Sequence, residues 1–189
     1  MKKLFLSFVF ALLSTFSFAQ NTWDIDQMHS SVNFTIEHMG ISFVQGRFDK
    51  FGGDLTTKGN SLDNAAFNIN IDVEGINTGV EMRDKHLKSK DFFDAGEYSN
   101  IKFTGTSVSK EKDGTYVFKG KLTIKDVTKE FNVPVTLGGI TKNKEGKEIM
   151  GLRAKFTINR FDYNVNYDPT AAGIAKWVEM NTYFELIKR

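Results

Sequence analysis

Across residues 67–73, Phe-Asn-Ile-Asn-Ile-Asp-Val, apolar and polar side chains alternate without a break. The same period of two returns in Val32/Phe34/Ile36, Tyr116/Phe118/Gly120/Leu122/Ile124 and Phe131/Val133/Val135/Leu137, then in Leu152/Ala154/Phe156/Ile158 and Val178/Met180/Thr182/Phe184/Leu186. Side chains of an extended chain point to opposite faces in turn, so each run predicts a half-buried strand with one dry face. Glycine-containing breaks at 51–54, 112–114 and 144–146 separate the runs, and Asp113-Gly114 between two of them is a hairpin signal. One segment departs from the pattern. Thr78-Gly79-Val80-Glu81 matches a capping box, in which hydroxyl and carboxylate each satisfy a free backbone N–H. Residues 82–90 that follow lack β-branched side chains and read as a short helix. The expectation is about eight strands with one short helical insertion.

Strands with a single apolar face must bury it, as a sandwich or as a closed barrel. The expected outer positions carry Lys102, Lys119, Lys121, Arg153 and Lys155. Such residues are costly against lipid, so the wet face points to water and the dry face inward. An eight-stranded antiparallel barrel has an interior that side chains fill, or that holds one ligand. Eight phenylalanines fall on inward positions: Phe34, Phe48, Phe67, Phe103, Phe118, Phe131, Phe156 and Phe184. Gly46, Gly105, Gly120 and Ala154 share that face and are expected to leave space among the rings. Composition alone leaves both a packed aromatic core and a ligand cavity open.

The first nineteen residues belong to a different kind of segment. Lys2 and Lys3 precede an almost wholly apolar stretch at 4–13, and Ser17-Phe18-Ala19 puts small residues at the −3 and −1 positions of a cleavage site. This is the layout of a secretory signal peptide cut before Gln20, and its apolar run is shorter than the ~20 residues of a spanning helix. The expected mature chain, 20–189, is a single soluble domain, periplasmic or secreted. The absence of cysteine excludes a lipoprotein anchor, disulfides and thiolate chemistry. The 25 basic residues less Lys2 and Lys3 balance the 23 acidic ones. Nothing in that balance suggests a nucleic-acid partner or a polybasic membrane patch.

Several spaced motifs resemble one family. Trp23-Asp24-Ile25-Asp26, His29-Ser30 and the run from Val32 through His38-Met39 are similar to the opening of YceI-like proteins. So are Gly46-Arg47-Phe48, Arg83-Asp84-Lys85-His86-Leu87, Asp91-Phe92-Phe93 and Gly120-Lys121-Leu122-Thr123-Ile124, with Arg160 before the penultimate hairpin. The resemblance spans 23–186. Ser99 stands at a frequent proline position, and Asp126 and Asn164 stand at glycine positions, where both tolerate left-handed backbone. The resemblance implies a lipocalin-like barrel in the periplasm enclosing a polyisoprenoid chain, such as an isoprenoid quinone or a polyprenyl phosphate.

For an amphiphilic isoprenoid lipid, apolar side chains hold the tail and a few polar groups at the mouth fix the head. The candidate tail-lining residues are Phe34, Phe48, Phe67, Ile69, Phe103, Phe118, Phe156, Met180 and Phe184. The candidate head-group donors are Arg83, His86 and Arg160, with a surface salt bridge as the alternative for Arg83 and a structural pair with a turn carboxylate as the alternative for Arg160. No catalytic cofactor is expected. His29, His38 and His86 are the only histidines, and nine residues separate the first two, which would put them on opposite faces of a regular strand. A metal site is therefore not expected, and buried hydrogen-bonding roles or polar contacts near the mouth are assigned to His29 and His38. The carboxylate pairs Asp91/Asp94 and Asp24/Asp26 fit turns and caps better than hydrolysis. Two alternatives to lipid binding are a solid-cored structural or interaction protein and a lipid hydrolase. A homodimer is compatible with the sequence.

Overall fold

The computed structural model describes residues 20–189, so the expected signal peptide at 1–19 lies outside the described residues. The strands are β1 (Gln20–Ile25), β2 (Ser31–His38), β3 (Ser42–Phe48), β4 (Phe51–Lys58), β5 (Ser61–Asp72) and β6 (Ile76–Asn77). After the helix α1 (Glu81–Lys88) come β7 (Asn100–Lys110), β8 (Tyr116–Ile124), β9 (Val127–Lys142), β10 (Glu148–Asn159) and β11 (Ile174–Lys188). Every pairing is antiparallel, and the ring β1-β4-β5-β7-β8-β9-β10-β11 closes through β1 against β11. Closure leaves those eight strands without a free edge. The expected eight-stranded barrel with one short helix is the fold observed.

Eleven segments make eight staves because the first three staves are broken. The carboxyl end of β11 pairs with β1, as Trp23 with Lys188, while its amino half pairs with β2, as Phe34 with Met180. β3 continues the line of β4, and the two-residue β6 continues that of β5 by pairing Ile76 with Phe48. The corner between β1 and β2 is tied to β11 by polar contacts. Asp26 N donates to the Glu185 carbonyl at 2.8 Å, Ser30 Oγ donates to that carbonyl at 3.3 Å, and Glu185 N donates to Ser30 Oγ at 3.0 Å.

Strand phase follows the sequence. In β8 the inward Tyr116, Phe118, Gly120, Leu122 and Ile124 are buried, and Lys119 and Lys121 between them are exposed. Lys102, Arg153 and Lys155 are exposed as well, as their outward assignment requires. The helix begins one residue earlier and ends two residues earlier than 82–90, and the capping box does not form. Val80 precedes the helix with no side-chain cap. Thr78 turns instead toward Asp84, whose Oδ1 accepts from both Thr78 N and Thr78 Oγ1.

Packing is uneven along the barrel axis. At the end where β4 turns into β5, β7 into β8 and β9 into β10, Trp23, Leu62, Val108, Tyr116 and Met150 are buried together as a plug. The indole of Trp23 donates to Thr57 Oγ1 at 3.1 Å, and Thr57 donates in turn to the Gly59 carbonyl at 2.7 Å, so this floor contains no orphaned indole N–H. The opposite end is built from the 39–41 hairpin tip, α1, the β8–β9 turn and the 164–173 loop.

Candidate lipid-binding cavity

From that opposite end a cavity of about 1250 Å³ runs into the barrel. It exceeds the ~300–1,000 Å³ of ordinary small-molecule pockets. None of the five plug residues borders it, so it is blind at the floor. All nine candidate tail residues border it: Phe34, Phe48, Phe67, Ile69, Phe103, Phe118, Phe156, Met180 and Phe184. Ile69, Phe103, Phe131, Phe156, Val178 and Phe184 point inward yet are only half-buried. An inward side chain that keeps accessible surface faces empty space, and apolar empty space accepts apolar guests. A solid core is therefore not what these side chains form.

The small residues do not create that space. A Cβ added at Gly46 would lie 2.3 Å from Phe34 Cζ, and one at Gly105 would lie 2.4 Å from Phe67 Cζ and 2.4 Å from the Lys119 carbonyl oxygen. At Gly120 the nearest atom would be the Thr104 carbonyl oxygen at 2.5 Å, with Phe67 Cζ at 3.1 Å. The glycines are the seats of two rings. Phe34 lies over Gly46, and Phe67 lies over Gly105 and Gly120 while contacting Phe103 and Phe118 at centroid distances of 4.8 and 5.1 Å. The expectation of vacancies at these glycines is corrected. Only Ala154, half-buried and bordering the cavity, fits it.

The three candidate head-group residues all border the cavity but differ in what they have left to offer. Arg83 commits Nε and one N–H of Nη2 to the Thr78 hydroxyl and carbonyl at 2.8 and 3.0 Å, which among the described residues leaves the two N–H groups of Nη1 and the second of Nη2 to donate. His86 places Nε2 2.8 Å from Asp91 Oδ2 and stands edge-on to Phe92 and Tyr167 at 5.0 and 4.8 Å. It links the helix segment to the 164–173 loop. Arg160 is buried, and its five N–H groups are all consumed at 2.6–3.2 Å by the carbonyls of Val165, Tyr167, Asp168, Ile174 and Ala175. Arg160 has no donor left for a head group. Its role is to fold the 164–173 loop onto the mouth, and the expectation for it is corrected.

Asp168 completes that loop. Its Oδ2 accepts from Ile174 N and Gly173 N at 2.8 and 2.7 Å, and Oδ1 accepts from Thr170 Oγ1 at 2.9 Å. The Ile174 and Gly173 amides hold its carboxyl below the usual carboxylate range. A depressed folded value means that this stabilisation is complete above the ordinary aspartate value of about 4 and is lost as pH falls through the depressed one. The thermal midpoint of Asp168→Asn should therefore lie below that of the wild type at neutral pH. The gap should close in acid, and a constant gap in a melting series against pH would show that the carboxylate is not the cause.

Sequence reasoning missed Phe92, Tyr163, Val165 and Tyr167, which border the cavity from turns and loops where no period exists to mark a face. The adjacent Phe92-Phe93 pair in an otherwise polar segment was the available signal. Of the two roles expected for His29 and His38, burial is corrected, since both are exposed; His38 does border the cavity, beside the hairpin at the mouth, and His29 does not. His29 Nδ1 lies 2.6 Å from Asp26 Oδ2 and 3.7 Å from Glu185 Oε1, on the outer side of the β1–β2 corner. The His29 hydrogen bond draws the Asp26 carboxyl down, and the same bond raises the imidazole. Three of the four carboxylates in the candidate pairs have a side-chain partner of their own: Asp24 meets Arg189 at 2.7 and 2.8 Å, Asp26 meets His29 and Asp91 meets His86, while Asp94 lies in a turn, its backbone carbonyl accepting from Glu97 N and Tyr98 N.

Comparison with known proteins agrees with this architecture. A family model, the YceI-like domain, matches residues 23–186. A UPF0312 protein of Vibrio vulnificus is 31% identical over the full length of both chains. The crystal structure of Burkholderia cenocepacia BcnA superposes with a TM-score of 0.75 at 23% identity, covering 85% of this chain and 98% of that one. A polyisoprenoid binding domain from Saccharophagus degradans, implicated in plant cell wall breakdown, superposes at 0.70 with 16% identity over 88% of this chain and 98% of that one. With a matched segment that runs from Trp23 in β1 to Leu186 in β11, the two strands of the barrel seam, this chain belongs to the YceI-like family.

Proposed function

We propose that this protein is a binding protein that carries or stores a polyisoprenoid-type lipid, an isoprenoid quinone or a polyprenyl phosphate, outside the cytoplasm. The observation that carries the reading is the blind apolar cavity, long and open at one end, with half-buried inward rings along its wall. A tail held by dispersion and burial needs such a wall and no directional partner. Arg83 and His86 at the mouth are the donors proposed for the head. The ligand of the Saccharophagus degradans neighbour supports the choice of lipid class, and the signal-peptide layout at 1–19 supports the place. Catalysis has less support, because Asp24, Asp26 and Asp91 each bond to a separate side chain rather than to one another.

The test is solvent extraction of the purified native protein followed by mass spectrometry. An isoprenoid lipid should be recovered, and Ala154→Phe should lower its yield while leaving the empty protein as stable as wild type, because the new ring enters vacant volume. Bound lipid should also raise the wild-type melting point by mass action. Protein free of any lipid, with Ala154→Phe strongly destabilised, would mean a packed interior and would end the lipid reading.

A further inference from the structure

The mouth of the cavity is ringed by apolar side chains that the fold leaves bare. Met39 and Ile41 at the hairpin tip are 63% and 87% exposed, Phe43 beside them 68%, and Met82 at the start of α1 82%. Val80, Tyr167 and Trp177 are exposed as well. Connectivity places all seven at one end. Met39 N donates to the Gly173 carbonyl at 2.8 Å, joining the hairpin to the 164–173 loop that carries Tyr167. β3 pairs with β6, which leads directly into Val80 and Met82. Val178, next to Trp177, pairs with Ile36 near the end of β2. The remaining exposed large apolar side chains, Met28 and Tyr183, lie elsewhere, beside the β1–β2 corner and on the outer wall.

We propose that this rim is a membrane-docking surface. The 39–43 hairpin and Met82 enter the boundary between head groups and acyl chains of a phospholipid bilayer, and Tyr167 and Trp177 settle at its interface. This rests on the reading of the cavity as a lipid site. A cargo tail leaving an open bilayer for an open mouth crosses water unless the two apolar regions touch, and the rim is the surface that makes them continuous. The side chains suit that occupant, since Trp and Tyr favour the head-group level and Met and Phe the acyl boundary. Charge sets the mode. Residues 39–43 carry no charge, and around them Glu37, Glu81, Asp84, Asp126 and Asp168 offset Arg83, Lys85, Lys88, Lys125 and Lys176, with Lys85 paired to Glu81 at 2.8 Å. Without a basic cluster to draw anionic lipid, insertion holds the protein rather than the surface potential. Binding is therefore to neutral lipid and insensitive to salt.

Flotation of the purified protein with phosphatidylcholine vesicles tests this. Wild type should float equally at low and high salt, with a blue shift of tryptophan emission. The shift reports Trp177, because Trp23 is already fully buried. Ile41→Ser/Phe43→Ser should lower the partition at least about tenfold with an unchanged melting point, and Met28→Ser/Tyr183→Ser should float as wild type does. Three results overturn the proposal: wild type that stays in solution, a hairpin variant that floats as well as wild type, or binding that needs phosphatidylglycerol and disappears in salt. Wild type that does not float but forms a dimer abolished by the hairpin substitutions would assign the rim to a second copy of the chain. Extracted lipid is scored separately. Lipid-loaded protein that fails to float defeats docking alone, and protein that floats but yields no isoprenoid defeats the cargo reading alone.

Discussion

Arg160→Ala should cost about 3–5 kcal/mol, the largest loss expected from a single polar substitution in this chain. The side chain is 5% exposed and is the shared donor for five carbonyls between residues 165 and 175. Each buried acceptor left without a donor costs ~1–3 kcal/mol, but the loop lies at the mouth and can open to water, which caps the total below the sum. Arg160→Lys should recover only part, because an ammonium supplies three donors from one point and the loop needs five from a plane. Denaturant midpoints of the two variants decide it. If alanine and lysine are both within about 0.5 kcal/mol of wild type, the five bonds do not organise the mouth. The same variants separate the two roles considered for Arg160, since a loss of stability in the empty protein cannot come from a missing head-group contact.

The ring seats give the second large effect. Phe67→Ala should cost about 3–5 kcal/mol, because the ring is buried against Phe103 and Phe118 and nothing nearby can close the gap. Gly46→Ala should cost about 1–3 kcal/mol by driving a methyl into Phe34. The atoms it meets there belong to the Phe34 and Thr78 side chains, so in a Phe34→Ala background the added cost of Gly46→Ala should fall below about 1 kcal/mol. At Gly105 the obstruction includes the Lys119 carbonyl, and removing Phe67 should relieve Gly105→Ala much less. Unfolding titrations of the two double-mutant cycles test the contrast. Equal coupling at both sites would mean that the rings do not define the seats.

Those glycines show where the sequence stops informing. A period of two reports which face a residue occupies, and every assignment that needed only a face was met, from the exposed lysines of β8 to the nine phenylalanine, isoleucine and methionine positions on the cavity wall. What lies over a glycine on that face depends on a ring from a neighbouring strand, and register between strands is not written in either one. Thr78 failed for a similar reason. Its hydroxyl had two acceptable uses, a helix cap or the Asp84 carboxylate, and tertiary geometry chose the second. Arg160 was legible as a head-group donor or as the structural partner of a turn carboxylate, but not as the hub of five carbonyls, because those come from irregular chain with no pattern to place them. The mouth as a whole was the least readable part, since Phe92, Tyr163 and Tyr167 reach it from loops.

The seam between β1 and β11 has a consequence for how the chain acquires its shape. Trp23 finds Lys188, and Asp24 finds Ile187, only when the earliest and latest strands meet. Bringing such distant segments together carries a loop-closure entropy that no nearby contact offsets beforehand, and topologies dominated by pairings of this kind assemble slowly. Until β11 has docked, β1 is held only by β4 and β2 only by β3, and the apolar interior stands open along one side. The interval before closure is therefore when the chain is most exposed to misassembly and to capture by other apolar surfaces, and also when a long tail could be enclosed by the wall as it forms rather than threaded in afterwards.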